Sequence, residues 1–511
     1  MRLNSLRVLL CLATAIGLTQ AAWAQDAPRA AITAVEQAAP AALSRQGTPG
    51  VGVAIVFDGE PVWSGGFGVT HVETGAPVTA DTVFEIASVT KPVTAWAILK
   101  LAEDGRIDLD APIETYLGGW TLPPSDFDHA LVTARAILAH GAGLSEGGDS
   151  GVEPGEVPPS LLEAANGATM EYGPVRVAHP PGEGYHYSSK GFILLEMAVE
   201  AVTGERFGDY VTREILHPLG MNDTAFGWTP ELEARAAWGH DWYGNPLPHY
   251  EHATKAQGGL VATAADVARF LAASMADASG TEPGRGVITP ASVRETFEPF
   301  PFAEDTVDIG LGYNLHLDGD TLVARKSGDH RGYKAVVFLM PDSKDGLVIL
   351  ANSDRAAPGI FADIACPWSR TLQDDPLGRV CVQLARLHKA HLGAALVLAT
   401  AGASIFGAVL AGWRRDRRSV PSRYSVWRRT AAILPILVVA VWWAYWYSDI
   451  PLRLQGFPPT FYTVRATLWP TAFVWISIGV STLGLALACL ILLPRTNALE
   501  TKRPSRPARS S

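Results

Sequence analysis

Cysteine is nearly absent from this chain, with four residues in 511. That excludes a disulfide-dense secreted scaffold, and no cluster of ligand-type residues accompanies the four to suggest a zinc site. Cys11 lies in an apolar N-terminal stretch and Cys489 in an apolar C-terminal one, which leaves Cys366 and Cys381 as the pair in the central region. An oxidising compartment permits a disulfide between them, and two free thiols fit the sequence as well. Lysine is scarce too, nine residues against thirty-two arginines. Net positive charge is missing from the centre: residues 25–391 carry −23, whereas 392–511 carry +11 and 1–24 carry +2. A region that acidic is a poor partner for nucleic acid or an anionic membrane surface. A small or zwitterionic substrate stays open. No internal repeat and no low-complexity tract is present.

What is present at the two ends bears on compartment. Residues 1–24 have the layout of a secretory signal peptide: Arg2 and Arg7, an apolar stretch from Val8 to Leu18, and Ala22-Trp23-Ala24 as a small-x-small cleavage site. Three apolar segments follow the acidic region, and they are expected to be transmembrane helices over 392–413, 431–447 and 468–493. The middle one is short, but it is uncharged and carries interface-type aromatics, Trp442, Trp443, Trp446 and Tyr447. Seven arginines, Arg414 through Arg429, separate the first two segments, and the tail over 494–511 is basic. Positive loops stay on the cytoplasmic side. Residues 25–391 are therefore expected on the periplasmic or extracellular face of the cell (inner) membrane, as the signal peptide also requires.

About 365 residues suffice for one large core or two subdomains. A helical pattern over 30–43 leads through Thr48-Pro49-Gly50 into an alternating strand, Val51 to Phe57, and Asp58-Gly59 turns it into a second, Val62 to Phe67. The spacing of Ala95, Ile98, Leu99 and Leu101 predicts a helix from about Ser88 to Glu103. The stretch from Ile107 to Arg294 reads as helices and loops. It includes helices over Ala134 to Ala139 and Ala264 to Met275, the second capped by Thr263, and a long loop from Ser145 to Pro159. Strands return over Leu311 to Leu317, Leu322 to Lys326, Lys334 to Met340 and Gly346 to Asn352. Strands at both ends with a helical middle predict one sheet built from the two termini and an inserted α-helical subdomain. A cleft between them is the expected site.

Within that frame, Ser88-Val89-Thr90-Lys91 carries chemistry. Residues i and i+3 are neighbours on a helix, so a neutral Lys91 could take the proton of Ser88. That activates a serine without a histidine. No other lysine in the chain has a serine three positions before it, although these four residues alone also fit a helix-start serine beside a solvated lysine. Two more elements follow in order: Tyr187-Ser188-Ser189, before an apolar helical run from Phe192 to Val202, and Lys326-Ser327-Gly328-Asp329 at a strand end.

Order, spacing and flanks resemble the serine β-lactamase and penicillin-binding-protein superfamily, in its class C β-lactamase, D-alanyl-D-alanine carboxypeptidase and esterase branch. The resemblance covers most of residues 45–355 and includes flanking segments such as Gly105-Arg106-Ile107-Asp108 and Gly258-Gly259-Leu260-Val261. It implies an α/β (α+β) fold, an antiparallel sheet flanked by helices with an inserted helical subdomain. It also implies an acylated Ser88, with Lys91 as the proton acceptor, its pKa lowered by desolvation and a second nearby cation. Tyr187 would share the acid/base work. Ser189, Lys326, Ser327 and Gly328 would bind substrate, with Lys326-Ser327-Gly328 on the edge strand and the backbone N–H of Asp329 as second oxyanion donor. No cofactor or metal is implied. Ser189 stands where this branch usually has asparagine, which puts β-lactam hydrolysis in doubt. Lys326 keeps a cation suited to a substrate carboxylate.

Other polar residues have plainer readings. His330 is expected to face solvent, His140 to be structural, His186 to point away from Tyr187, and Glu146, Asp149, Glu153 and Glu156 to be acids of a solvated loop. The expected function is a membrane-anchored serine hydrolase acting on an ester, a D-amino-acid peptide or a β-lactam, small-molecule or cell-wall-derived. A penicillin-binding or cell-wall-sensing module with little turnover is the alternative. A third possibility, that the three apolar helices carry a signalling or transport function, has almost no intramembrane charge to support it.

Overall fold

The computed structural model describes residues 27–415 (apart from 150, 169, 171–172 and 304–307), 426–447 and 470–493. The expected signal peptide, the arginine-rich connection from 416 on and the basic tail lie outside the described residues. Two compact units divide between Val382 and Gln383.

The first unit is organised by a six-stranded antiparallel sheet of order β2-β1-β9-β8-β7-β6. Its strands are β1 (Gly50–Phe57), β2 (Glu60–Gly68), β6 (Asn314–Asp318), β7 (Thr321–His330), β8 (Tyr333–Met340) and β9 (Asp345–Ala351). Strand β1 pairs with β9, Val53 opposite Ile349, so the two ends of the unit meet inside one sheet as the sequence predicts. A small second sheet, β3 (Val83–Glu85), β4 (Thr224–Phe226) and β5 (Leu260–Thr263), has the order β3-β5-β4.

Because strand side chains alternate between faces, the large sheet feeds two cores. On one face, Val51, Val53, Ile55, Val336 and Ile349 pack with α1 (27–46) through Ala31, Val35, Ala39 and Ala42, and with α10 (Gly359–Ser369) through Ile360, Ile364 and Trp368. On the other, Ala54, Val56, Val337, Leu339, Val348 and Leu350 join a larger core containing α2 (Thr90–Glu103), α5 (Gly191–Thr203) and α8 (Ala264–Ala273). Helix α2 is buried on nearly every side, which makes it the central support of the site. Helix α8 starts where predicted, with Thr263 Oγ1 accepting from the Asp266 N–H.

Two differences from the sequence reading have physical causes, and one alternative that it left open is resolved. The strand expected from Leu311 begins at Asn314, because Gly310 and Gly312 form a turn in which a Cβ on Gly310 would fall 2.1 Å from the Thr296 carbonyl oxygen. Asp149 is not a solvated loop acid: it is buried, and its carboxylate accepts from the backbone N–H of Thr254 at 3.1 Å and of Gly151 at 3.0 Å. Cys366 and Cys381 form a disulfide that ties α10 to the start of the helix Gly378–Arg414.

Beyond Val382, Gly378–Arg414 is the one helix among the described residues long and apolar enough to cross a membrane. The other two predicted spans fall on helices, Val426–Tyr447 and Pro470–Leu492, whose apolar stretches are shorter, Thr430–Trp443 and Ile476–Leu492. Trp442 Nε1 donates to Ser477 Oγ at 3.0 Å and Trp443 Nε1 to Ser481 Oγ at 2.8 Å, pairing those two helices.

Candidate active site

Ser88 sits between β3 and α2 in a 3₁₀ turn, Ala87–Val89, rather than inside the helix itself. Ala87 takes φ +49°, a left-handed conformation that costs a non-glycine residue about 1–2 kcal/mol. The sharp turn presents the hydroxyl, half-exposed, at the head of α2. One turn on, Lys91 is fully buried. Its Nζ donates to Ser88 Oγ at 3.0 Å, to Ser189 Oγ at 3.2 Å and to the Gln257 carbonyl oxygen at 2.6 Å. Tyr187 Oη lies 2.9 Å from Ser88 Oγ and 3.5 Å from Ser189 Oγ. The Ser-x-x-Lys and Tyr-Ser-Ser elements, almost a hundred residues apart in sequence, thus form one hydrogen-bonded cluster.

Each wall of this cluster is separately braced. Ser188 locks the tyrosine segment, since its N–H donates to His140 Nδ1 at 3.2 Å and its Oγ to the Ser145 carbonyl oxygen at 2.7 Å. His140 is the structural histidine expected, at φ +56°, its ring 4.3 Å from that of Tyr187. Burial, with Lys326 and Lys91 nearby, holds its pKa well below the ordinary histidine value, so it stays neutral. His186 stacks on His179 at 3.8 Å. The Gln257 carbonyl is fixed by Glu196 on α5, whose carboxylate accepts from the N–H groups of Lys255 and Ala256 at 2.7 and 2.8 Å. Burial pushes Glu196 up to about 8. Neither residue was a sequence candidate. Gln257 acts through its backbone, which side-chain chemistry cannot reveal, although Gly258-Gly259 beside it marked the segment.

The third element comes from β7. Lys326 to His330 is not on the outermost strand, because β6 flanks β7 in the sheet. However, β6 pairs only with Thr321 through Arg325, so the second half of β7 has one open edge. Alternate N–H groups of an antiparallel strand point off such an edge. Gly328 is where β7 meets the Ser88 turn: a Cβ there would lie 2.2 Å from the Ile86 carbonyl oxygen and 3.1 Å from Ala87 Cβ. Ser327 is exposed. The Asp329 side chain pairs with Lys334, which also contacts Asp354 at 3.1 Å. Lys326 is buried, its Nζ 5.3 Å from the centre of the Tyr187 ring, with no acidic partner among the described residues.

The two site lysines differ in what perturbs them. Burial lowers Lys91 to about 7, and the second cation expected beside it is Lys326, with which it shares like-charge repulsion. Burial also lowers Lys326 to about 8, and there Lys91 and Arg325 add like-charge repulsion while Tyr187 opposes it. His330 departs from expectation. It does not face solvent but places Nδ1 2.8 Å from a Glu85 carboxylate oxygen, with its ring stacked on His252 at 4.6 Å.

The arrangement suits proton transfer from a hydroxyl to a buried amine, with a phenol in reach of that hydroxyl and backbone donors close by. A family model described as Beta-lactamase matches residues 31–364. The human (Homo sapiens) protein named "Putative beta-lactamase-like 1" is 29% identical over 349 residues, 64% of this chain and 65% of that relative, so the match spans less than two thirds of its length. The octameric penicillin-binding protein homologue from Pyrococcus abyssi superposes with a TM-score of 0.56 at 26% identity, covering 65% of this chain and 76% of that one. The D-alanine carboxypeptidase from Burkholderia cenocepacia, at 21% identity and a TM-score of 0.54, covers 68% of this chain and 100% of its own and shares the fold.

Proposed function

Because the chain belongs to the Beta-lactamase family, we propose that it is a serine hydrolase working through an acyl group on Ser88. The observation that carries this reading is Ser88 Oγ hydrogen-bonded to both Lys91 Nζ and Tyr187 Oη, beside an amine that burial lowers to about 7. Neutral Lys91 accepts the Ser88 proton as Oγ attacks the substrate carbonyl carbon. The oxyanion is held by the N–H groups of Ser88 and Asp329, the first at a helix head where unsatisfied donors gather. Tyr187 and Lys91 pass the proton to the leaving group, and water then attacks the ester carbonyl and restores the Ser88 hydroxyl.

The substrate in this reading carries an ester, a D-amino-acid amide or a β-lactam ring. Lys326, buried without an acidic partner, favours one bearing a carboxylate near the scissile bond. Ser189 offers its hydroxyl to Lys91 where a side-chain amide would position a lactam, and this supports the second reading, a penicillin-binding or cell-wall-sensing module that acylates and releases slowly. We also propose that residues 1–24 export the chain and that the apolar C-terminal segments anchor it, with the hydrolase on the periplasmic side. The length and apolarity of Gly378–Arg414 support the anchor.

Labelling tests the core of the proposal. A fluorophosphonate probe or a fluorescent penicillin is expected to label the wild type and not Ser88→Ala. Equal labelling of both would remove Ser88 from the mechanism. Label that persists without product release would favour the slow module over the hydrolase.

A further inference from the structure

Behind the Ser88 turn, three side chains that the acylation chemistry does not use converge on one point. Glu85 ends β3 three residues before the serine, His330 ends β7 two residues past Gly328, and His252 belongs to the segment that supplies the Gln257 carbonyl. One Glu85 oxygen lies 2.8 Å from His330 Nδ1 and 3.9 Å from His252 Nε2, and the three ligand atoms all fall within 4.8 Å of one another. The group is well enclosed, with Glu85 only 5% exposed. The other Glu85 oxygen and His252 Nε2 are both buried without a hydrogen-bond partner. A carboxylate–histidine pair would satisfy itself with one bond. A second imidazole aimed at the same carboxylate leaves polar groups that the protein does not meet, and each such group costs about 1–3 kcal/mol.

We propose that Glu85, His252 and His330 form a site for one divalent transition-metal ion of the zinc type. Two imidazole nitrogens and one carboxylate are a donor set for such ions, whereas calcium and magnesium require more oxygens. Metal–ligand bonds of about 2.0–2.2 Å in tetrahedral geometry set the ligand atoms about 3.4 Å apart. The 2.8 and 3.9 Å separations bracket that value, so small side-chain rotations suffice. A narrow cavity of about 10 Å³, lined by Glu85, His252, Trp228 and Lys255 among others, reaches Glu85 and His252, a volume close to the ~10–15 Å³ that a single water on a fourth position needs. Lys255, the cation on that wall, directs its Nζ to the His252 carbonyl oxygen at 2.9 Å. The bound ion ties together β3, the 252–257 segment and β7, the three pieces that hold Ser88, Lys91 and the oxyanion strand in place. The site stands whether or not Ser88 is the nucleophile.

The test uses the full chain in detergent, made without a histidine tag, stripped with a chelator and titrated with Co²⁺ and then Zn²⁺. One Co²⁺ per chain is expected, with visible ligand-field absorption that one equivalent of Zn²⁺ removes. His252→Asn and His330→Asn are each expected to weaken Zn²⁺ binding at least about tenfold, while circular dichroism of the metal-free variants matches the metal-free wild type. Zn²⁺ is further expected to raise the melting temperature of the wild type and not of the variants. If His330→Asn does not fold, His252→Gln carries the same expectation. Stripped wild type that takes up no stoichiometric Co²⁺, or variants that bind Zn²⁺ as tightly as the wild type, would overturn the proposal and leave the trio as a hydrogen-bonded clamp.

Discussion

A lysine in water is protonated at neutral pH and cannot take a proton from a serine. Lys91 escapes this because α2 carries it wholly out of solvent, and desolvation penalises the charged form. A neutral amine has two N–H groups and one lone pair, so it still meets all three partners by donating to the Gln257 carbonyl and Ser189 Oγ and accepting from the Ser88 hydroxyl. The active form is the deprotonated one, so acylation should fall as pH drops through about 7. Lys326 has the opposite requirement, since gripping a carboxylate needs its proton, and that grip fades above about 8. Rates measured across pH with a neutral ester should therefore rise to a plateau, whereas a carboxylate-bearing substrate should give a bell between the two values. Lys91→Met should lower the acylation rate by about 10²–10⁴, and Lys91→Arg should not restore it, because a guanidinium keeps its proton. A flat profile from pH 5 to 9 would mean that Lys91 is not the base.

At the level of elements, the site depends on how closely β7 approaches the Ser88 turn, and Gly328 sets that approach. In Gly328→Ala the new Cβ would meet a backbone carbonyl, Ile86 O, at 2.2 Å, and backbone cannot swing aside as a flexible side chain can. β7 must retreat, at a cost of about 1–3 kcal/mol in stability. A displacement of about 1 Å at the reacting centre costs on the order of 10²-fold in rate. The variant should therefore melt earlier and acylate about a hundredfold more slowly. An unchanged acylation rate in stopped-flow labelling would show that the strand has slack. This element also marks where sequence reading ran out. Alternating strands and capped helices were legible because one-dimensional periodicity encodes them, and the three short motifs were legible because the chemistry proposed for them rests on side-chain identity. The pairing of β6 with only half of β7 was not, since strand order is decided by contacts far apart in sequence. Asp149 and His330 were read as solvated for the same reason. Each lies in a polar loop or hairpin, and its burial comes from Thr254 in one case and Glu85 in the other, which local composition does not announce.

The whole molecule raises the question of whether the chain beyond the first unit, proposed above as an anchor, does more than hold the proposed hydrolase at a membrane. The family match ends at residue 364 and the compact unit at Val382, and Cys381, which closes the disulfide with Cys366, lies just inside that limit. Every residue assigned here to the site, from Ser88 to His330, lies well before it. The three apolar segments were legible in the sequence as hydropathy, yet of their described helices only Gly378–Arg414 is both long and apolar enough to cross a bilayer. A chain cut after Arg386 keeps the disulfide and removes the apolar part of that helix. If the C-terminal segments only anchor, this truncation should leave the membrane fraction and label at Ser88 within about twofold of the full chain, since separated regions that share no partners act additively. A loss of tenfold or more, with the truncated protein's circular dichroism and melting temperature unchanged, would instead mean that the helices shape the site. The third reading, in which they carry a function of their own, would then have its first support.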